Sequence, residues 1–118
     1  MRLPEQYSIS DHFAGKDPSV LAIYQRLLAE TRKFGPVVEQ PKKTSIHLVN
    51  KSAFAGVVTR KAAILLNIKS AAPIRDARIV HAEQVSSNRF HQEVKLTSPE
   101  DIDPVLLGWL KSAYEMSG

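Results

Sequence analysis

Hydrophobic and polar positions recur with two different periods along this chain. Between residues 17 and 35, apolar side chains return every three to four positions, as on an amphipathic helix that packs on a core. Asp17 followed by Pro18 is typical of a helix start, and Gly35 is typical of a helix end. The spacing therefore predicts a helix over residues 17–35, preceded by an N-terminal arm over residues 1–16.

The period changes to two after residue 42. Polar and apolar side chains alternate over residues 43–49, which predicts a strand with one wet face. The short connections between this stretch and the later ones favour an antiparallel meander. The sequence thus predicts a five-stranded antiparallel sheet within residues 43–96, with strands at 43–49, 53–60, 62–70, 78–85 and 89–96. Gly56 in the second strand is a candidate for a bulge or for a close approach of another part of the molecule.

Helical spacing returns over residues 103–116, where Asp103 and Pro104 indicate another helix start. Trp109 lies on the apolar stripe of this helix and is expected in the core. The predicted architecture is an α+β fold, a single domain over residues 1–118, in which both terminal helices pack on one face of the sheet. The opposite face would then be the wet one.

Composition narrows the classes of protein that fit. With 118 residues, of which 43% are hydrophobic and 24% charged, the chain is typical of a folded domain. It contains no cysteine, which excludes disulfides, thiolate catalysis, zinc knuckles and iron–sulfur clusters. Neither a signal peptide nor an apolar run of about 20 residues is present, so we expect a cytoplasmic protein without membrane contact.

Positive charge is concentrated in the middle of the chain. Residues 42–95 carry ten Lys and Arg against three Asp and Glu, although the formal net charge of the whole chain is only +4. Such a distribution predicts one basic face and an anionic partner.

Strand alternation places several polar side chains on the predicted wet face. Ammonium and guanidinium groups beside a hydroxyl and imidazoles would suit a phosphate or a carboxylate. The simpler interpretation is a solvated sheet face, in which Lys and Arg serve solubility. The candidate ligand-binding residues are Lys43, Ser45, His47, Arg60, Arg89 and His91, with Asn67 and Lys69 beside them.

A second pattern is His-x-Glu, which occurs at residues 81–83 and 91–93. If residues 86–88 form a three-residue loop, His81 faces Glu93 and Glu83 faces His91 across two strands. Two imidazoles and two carboxylates are chemically adequate for a divalent metal, so these four are weak metal candidates. Two ordinary cross-strand pairs are the simpler interpretation.

Five short blocks of the sequence carry a resemblance to a known family. They lie at residues 34–37, 43–48, 53–57, 87–91 and 109–115. In combination they resemble the bacterial family called domain of unknown function 5655, some members of which are labelled predicted transport proteins. The resemblance implies a compact bacterial domain and supplies no catalytic residues.

Three classes of function remain open. The first is a non-catalytic binding module whose basic sheet face takes an anionic small molecule or an acidic protein surface. The second is a nucleic-acid-binding domain that uses the same face. The third is a metal-binding or hydrolytic protein built on His47, His81 and His91. No nucleophile elbow surrounds Ser45 and no glycine-rich loop is present, so the sequence favours a non-enzyme without a cofactor. We expect the protein to be either a monomer or a homodimer.

Overall fold

The computed structural model describes residues 7–118, which form six β-strands and two α-helices. Short 3-10 helices at Ser10–His12 and Pro99–Asp101 precede the two α-helices. In chain order the main elements are α1 (Pro18–Thr31), β1 (Val38–Pro41), β2 (Ile46–Val49), β3 (Ala53–Thr59), β4 (Ile64–Ser70), β5 (Ile79–Ser86), β6 (Arg89–Leu96) and α2 (Pro104–Met116).

Both helices begin where the sequence predicts. The carboxylate of Asp17 accepts a hydrogen bond from the backbone N–H of Ser19 at 2.9 Å, and that of Asp103 accepts one from Leu106 at the same distance. Each carboxylate satisfies a backbone donor that the first helical turn leaves free. The proline that follows each cap fits the first helical position, where no backbone N–H is needed.

Helix α1 ends at Thr31 rather than at the predicted residue 35. The chain then turns toward Gly35, whose φ is +151°, a value that L side chains rarely adopt. A Cβ at Gly35 would lie 2.5 Å from the hydroxyl oxygen of Tyr114. That hydroxyl donates to the carbonyl of Pro36 at 2.8 Å, so the missing side chain of Gly35 lets α2 approach this turn closely.

The two helices pack on the same face of the sheet, as predicted. Apolar residues of both helices and of alternate strand positions form one core cluster. Fully buried members include Ile23, Leu27, Ile46, Leu48, Phe54, Ile64, Leu66, Ile68, Leu106 and Leu110. In the described part of the chain no helix covers the opposite face, which is called the uncovered face below. The α+β class and the antiparallel sheet are therefore confirmed.

The sheet has six strands rather than five, because residues 38–41 form an edge strand that the sequence pattern did not reveal. Strand β1 is only four residues long and ends in Pro41, which is tolerated at a sheet edge but weakens a strand signal. It pairs with β2 from Val38 opposite Val49 to Pro41 opposite Ile46. The hydroxyl of Tyr24 donates to Glu39 at 2.6 Å and fastens α1 to this edge.

The strand order is β1-β2-β3-β4-β6-β5, so the predicted meander is wrong beyond β4. Strand β6 lies between β4 and β5 and pairs with β4 from Ile64 opposite Leu96 to Ser70 opposite Phe90. The physical reason is burial, because β6 supplies Val94 and Leu96 to the core whereas β5 is exposed along almost its whole length. The strand that has an apolar face takes the interior position.

Residues 71–78 carry the chain from β4 past β6 to β5. At the end of this segment, Arg78 donates to Asp103 at 3.0 Å and lies over the ring of Trp109, 5.0 Å from its centroid. Trp109 is only partly buried against the core, whereas the sequence pattern predicted that it would lie inside. The connection is thus fastened to the start of α2.

The hairpin of β2 and β3 contains a β-bulge. Strands β2 and β3 pair as predicted, but the bulge falls at Phe54 and not at Gly56, because Val49 pairs with Ala53 while Leu48 pairs with Ala55. The extra residue allows Phe54 to reach the core, where its ring contacts that of Tyr114 at 5.2 Å between centroids. The bulge therefore adds a large buried side chain to a strand that is otherwise built of small residues.

Candidate functional site

A cavity of about 310 Å³ opens on the uncovered face of the sheet. The side chains that supply its polar wall come from β4, β6 and the β2 region, and Val58 adds apolar surface from β3. No carboxylate is among the residues that line it in the described part of the chain. The polar residues that line it are Thr44, Ser45, His47, Asn67, Lys69 and His91.

The floor of the cavity is set by a glycine in the middle of the sheet. Gly56 pairs with His47 on one side and with Asn67 on the other. A Cβ on Gly56 would lie 3.7 Å from the Cβ of Asn67 and 3.9 Å from Cδ2 of His47, which is ordinary van der Waals contact. Any longer side chain would extend into the space between these two residues, so glycine keeps the cavity open.

Lys69 supplies the positive charge of the cavity wall. Its Nζ donates to the hydroxyl of Ser117 at 2.9 Å and to that of Ser52 at 3.3 Å. Burial lowers the pKa of this ammonium group, and the nearby positive charge of Arg89 lowers it further. The ammonium group of Lys69 and the guanidinium group of Arg89 therefore lie close enough together to repel each other.

Arg89 is half-buried at the start of β6, and its Nε has no hydrogen-bond partner among the described residues. Across residues 7–118, ion pairs join Arg32 to Glu39, Lys33 to Glu30, and Arg78 to both Asp76 and Asp103. None of these pairs includes a cation of the cavity. A buried guanidinium donor that lacks an acceptor is costly, because it has lost its water without replacement.

His47 is another titratable group in the cavity wall. Burial lowers the pKa of its imidazole, and the positive charge of Lys42 lowers it further. At neutral pH this imidazole is therefore mostly uncharged and can donate from one ring nitrogen while it accepts at the other. The wall thus combines one fixed cation, one neutral imidazole and the hydroxyl and amide groups of Ser45 and Asn67.

The structure brings together only part of the group predicted from the sequence. Ser45, His47 and His91 line the cavity, and Asn67 and Lys69 line it with them. Arg89 does not line it but lies near Lys69. The polar residues of the predicted site are therefore split between the cavity and other parts of the sheet.

Lys43 and Arg60 lie elsewhere on the same sheet. Lys43 precedes β2 and Arg60 follows β3, so both are exposed in turns at one end of the strands. Arg89 begins β6 at the other end of the strands, where β4 finishes. The structure therefore does not bring Lys43 and Arg89 into one cleft, because strand alternation specifies a face but not a position along it.

The His-x-Glu register is as predicted, although the turn is not. His81 pairs with Glu93 and Glu83 pairs with His91. Ser86 pairs with Arg89, so the connection is a two-residue turn, and a register shift between Gln84 and Ser86 restores the expected pairing. No group of three or more metal-binding side chains occurs within residues 7–118, which leaves two separate cross-strand pairs.

Sequence reasoning did not reveal the role of His12, because a histidine in a loop before a helix ordinarily faces solvent or caps the helix. The side chain is buried, its Nε2 lies 2.8 Å from the carbonyl oxygen of Lys42, and its own carbonyl accepts from the hydroxyl of Thr59 at 2.6 Å. These bonds fasten the segment before α1 to the turns that flank β2 and β3. No local pattern reveals such contacts, because the partners lie 30 and 47 residues away.

Comparison with known proteins agrees with the resemblance seen in the sequence. The model of the family described as a domain of unknown function (DUF5655) matches residues 9–117, so the chain belongs to this family. No curated protein and no solved structure matches the chain. None of the helices in residues 7–118 has the length and apolar character needed to cross a membrane.

Proposed function

We propose that this protein is a non-catalytic binding module whose cavity takes a small anionic ligand. The observation that carries the proposal is the pair Lys69 and Arg89, two partly buried cations close enough for their charges to oppose each other, while none of the described residues that line the cavity is a carboxylate. Like charges that are held together at partial burial destabilise a fold unless something neutralises them. A bound carboxylate or phosphate would supply the missing negative charge.

The other groups of the wall suit the same ligand. The hydroxyl of Ser45, the amide of Asn67 and the imidazoles of His47 and His91 provide hydrogen-bond donors in the cavity wall that Lys69 also lines. Charge-assisted hydrogen bonds from such donors are the usual means of holding carboxylates and phosphates. A cavity of about 310 Å³ accommodates a small molecule, whereas a folded acidic protein could insert no more than one side chain.

Lys69 also has a structural interpretation. Its ammonium group lies at the end of α2, where Ser117 is the C-cap, and a cation is favoured at a helix C-terminus. Replacing Lys69 would therefore affect stability as well as binding. Affinity has to be measured directly, by calorimetric titration of folded protein, rather than inferred from heat-stabilisation alone.

The test is calorimetric titration with inorganic phosphate, sulfate and citrate. We expect at least one of the three to bind, and Lys69→Met to weaken that binding by about 1.5 to 3 kcal/mol for the charge-assisted bond lost. Arg89→Met should weaken it through loss of the neighbouring charge. Lys43→Met and Arg60→Met are matched controls, since each removes the same formal charge from an exposed turn outside the cavity.

Two results would contradict the proposal. One is that none of the three anions binds the wild-type protein. The other is that Lys43→Met weakens binding as much as Lys69→Met, which would indicate a diffuse electrostatic effect. Binding of single-stranded DNA with a steep dependence on salt concentration, together with no response to the small anions, would favour the nucleic-acid alternative.

A further inference from the structure

Strand β5 is an unusually open edge of the sheet. It is eight residues long and all of it except Ile79 is exposed, including Val80 at 57% and Val85 at 54%. It contains neither Lys nor Pro, the residues that commonly protect an edge strand from pairing. The opposite edge, β1, is half as long and ends in Pro41.

The sequence of β5 is complementary to itself about Ala82. If two copies of β5 run antiparallel with Ala82 opposite Ala82, His81 of each copy faces Glu83 of the other. A shift that centres the pair on Glu83 sets two carboxylates against each other, and one centred on His81 sets two imidazoles together. Charge complementarity thus selects the pairing centred on Ala82.

The pairing inside each chain extends this complementarity. Within one chain His81 pairs with Glu93, and Glu83 pairs with His91. Joining two copies about Ala82 would therefore make two rows of four side chains in which carboxylate and imidazole alternate. Each row would run from Glu93 and His81 of one copy to Glu83 and His91 of the second copy. On β4, Asn67 pairs with Glu93 at one end of the row and Lys69 pairs with His91 at the other end.

We propose that the β5 edge is the surface through which a second copy of this chain docks, forming one continuous antiparallel sheet across the dimer. The added main-chain hydrogen bonds satisfy the outward N–H and C=O groups of the edge. The register shifts between Ile79 and His81 and between Gln84 and Ser86 confine regular pairing to the middle of the strand. The dimer is therefore in concentration-dependent equilibrium with the monomer, since a short edge contact buries little surface.

The test uses two variants that change opposite sides of the contact. Glu83→Arg sets an arginine against His81 of the second copy, and His81→Glu sets a glutamate against Glu83 of the second copy. Glu83→Arg alone removes the carboxylate that faces His81, and His81→Glu alone sets two carboxylates against each other. A mixture of the two places the introduced arginine opposite the introduced glutamate and leaves His81 opposite Glu83. Glu115→Arg, on the exposed side of α2, is the control with the same change of charge as Glu83→Arg.

The measurement is sedimentation equilibrium over a wide range of concentration, for which the monomer mass is 13.1 kDa. We expect wild-type protein and Glu115→Arg to associate equally, and each β5 variant alone to show a dissociation constant raised about tenfold or more. The equimolar mixture should regain association. Circular dichroism spectra that match the wild type would show that the variants are folded.

A wild-type protein that remains monomeric at the highest concentration would overturn the proposal. So would association that neither β5 variant weakens, because the contact would then lie elsewhere. Loss of association in both variants without recovery in the mixture would overturn the pairing centred on Ala82. None of these outcomes depends on whether the cavity binds an anion.

Discussion

The two faces of strand β4 differ as sharply as any two surfaces of this molecule. Ile64, Leu66 and Ile68 point toward the helices and are 0% exposed. The alternating Leu65, Asn67 and Lys69 point the other way, and Asn67 and Lys69 line the cavity. Adjacent residues of one strand therefore differ in their main contribution, which is packing on one face and the candidate site on the other, although Lys69 also bonds to the end of α2.

The largest expected effect is a difference in stability between substitutions on the two faces of β4. Leu66→Ala should lower the free energy of unfolding by about 2 to 5 kcal/mol, because it removes a fully buried side chain and leaves a void. Leu65→Ala, one position away on the uncovered face, should cost clearly less, since its side chain is only partly buried. Urea denaturation of both variants gives the comparison. Equal costs would mean that the uncovered face is packed as tightly as the core.

An intermediate effect, on anion binding, is expected from a substitution that fills the cavity without disturbing the core. Gly56→Leu should abolish the heat-stabilisation that a bound anion gives, which is about 2.7 kcal/mol at one hundred times the dissociation constant. The reason is that the added side chain would occupy the space between His47 and Asn67. Differential scanning calorimetry with and without saturating phosphate or citrate measures this loss.

Gly56→Ala is the matched control for that substitution. Its single methyl group would make only ordinary contacts with its two neighbours, and alanine loses less conformational freedom on folding than glycine does. We expect it to retain most of the anion response and to be as stable as the wild type. If Gly56→Leu kept the full anion response, the ligand would bind outside this cavity.

The smallest expected effect concerns pH. The lowered pKa of His47 means that the folded state favours its neutral imidazole. The unfolded chain takes up this proton near pH 6.5, so the stability contributed by His47 is complete above that pH and is lost as the pH falls toward the lower folded pKa. His47→Gln should flatten this part of the stability profile between neutral and mildly acidic pH.

Anion binding should act on His47 in the opposite direction. A bound anion favours the protonated imidazole, so adding phosphate should raise the pKa of His47 in an NMR titration. The affinity for sulfate, whose charge is constant in this range, should correspondingly increase as the pH falls from neutral through the range in which this imidazole takes up its proton. A pKa that phosphate leaves unchanged would place His47 outside the binding site, even if another part of the cavity is occupied.

The sequence predicted which side chains share a face better than it predicted where they meet. Asp17 and Asp103 indicate both helix starts, because capping is a local interaction. The pairing of His81 with Glu93 was also predicted, but from a three-residue turn, and it holds because the register shift between Gln84 and Ser86 compensates for the observed two-residue turn. These features need no information from distant parts of the chain.

Other features depend on contacts between distant residues. The insertion of β6 between β4 and β5 reflects competition for the core that no local pattern contains. Lys43 precedes β2 and Arg89 begins β6 at opposite ends of the sheet, so the alternation that they share did not make a shared site. Lys69, which the sequence set only beside the main candidates, is instead the cation that lines the cavity.

The position of β6 also constrains the order in which this protein can fold. Strands β1 to β4 can assemble one hairpin at a time, but the next strand in the chain, β5, pairs with β6 and with no other strand of residues 7–118. The β5–β6 hairpin must therefore either form first and dock as a unit, or wait until β6 has closed the long loop to β4. Closing a loop of this kind slows folding more than it lowers stability. Val94→Ala, in the strand that makes this closure, should report by its effect on the folding rate which of the two routes the chain takes.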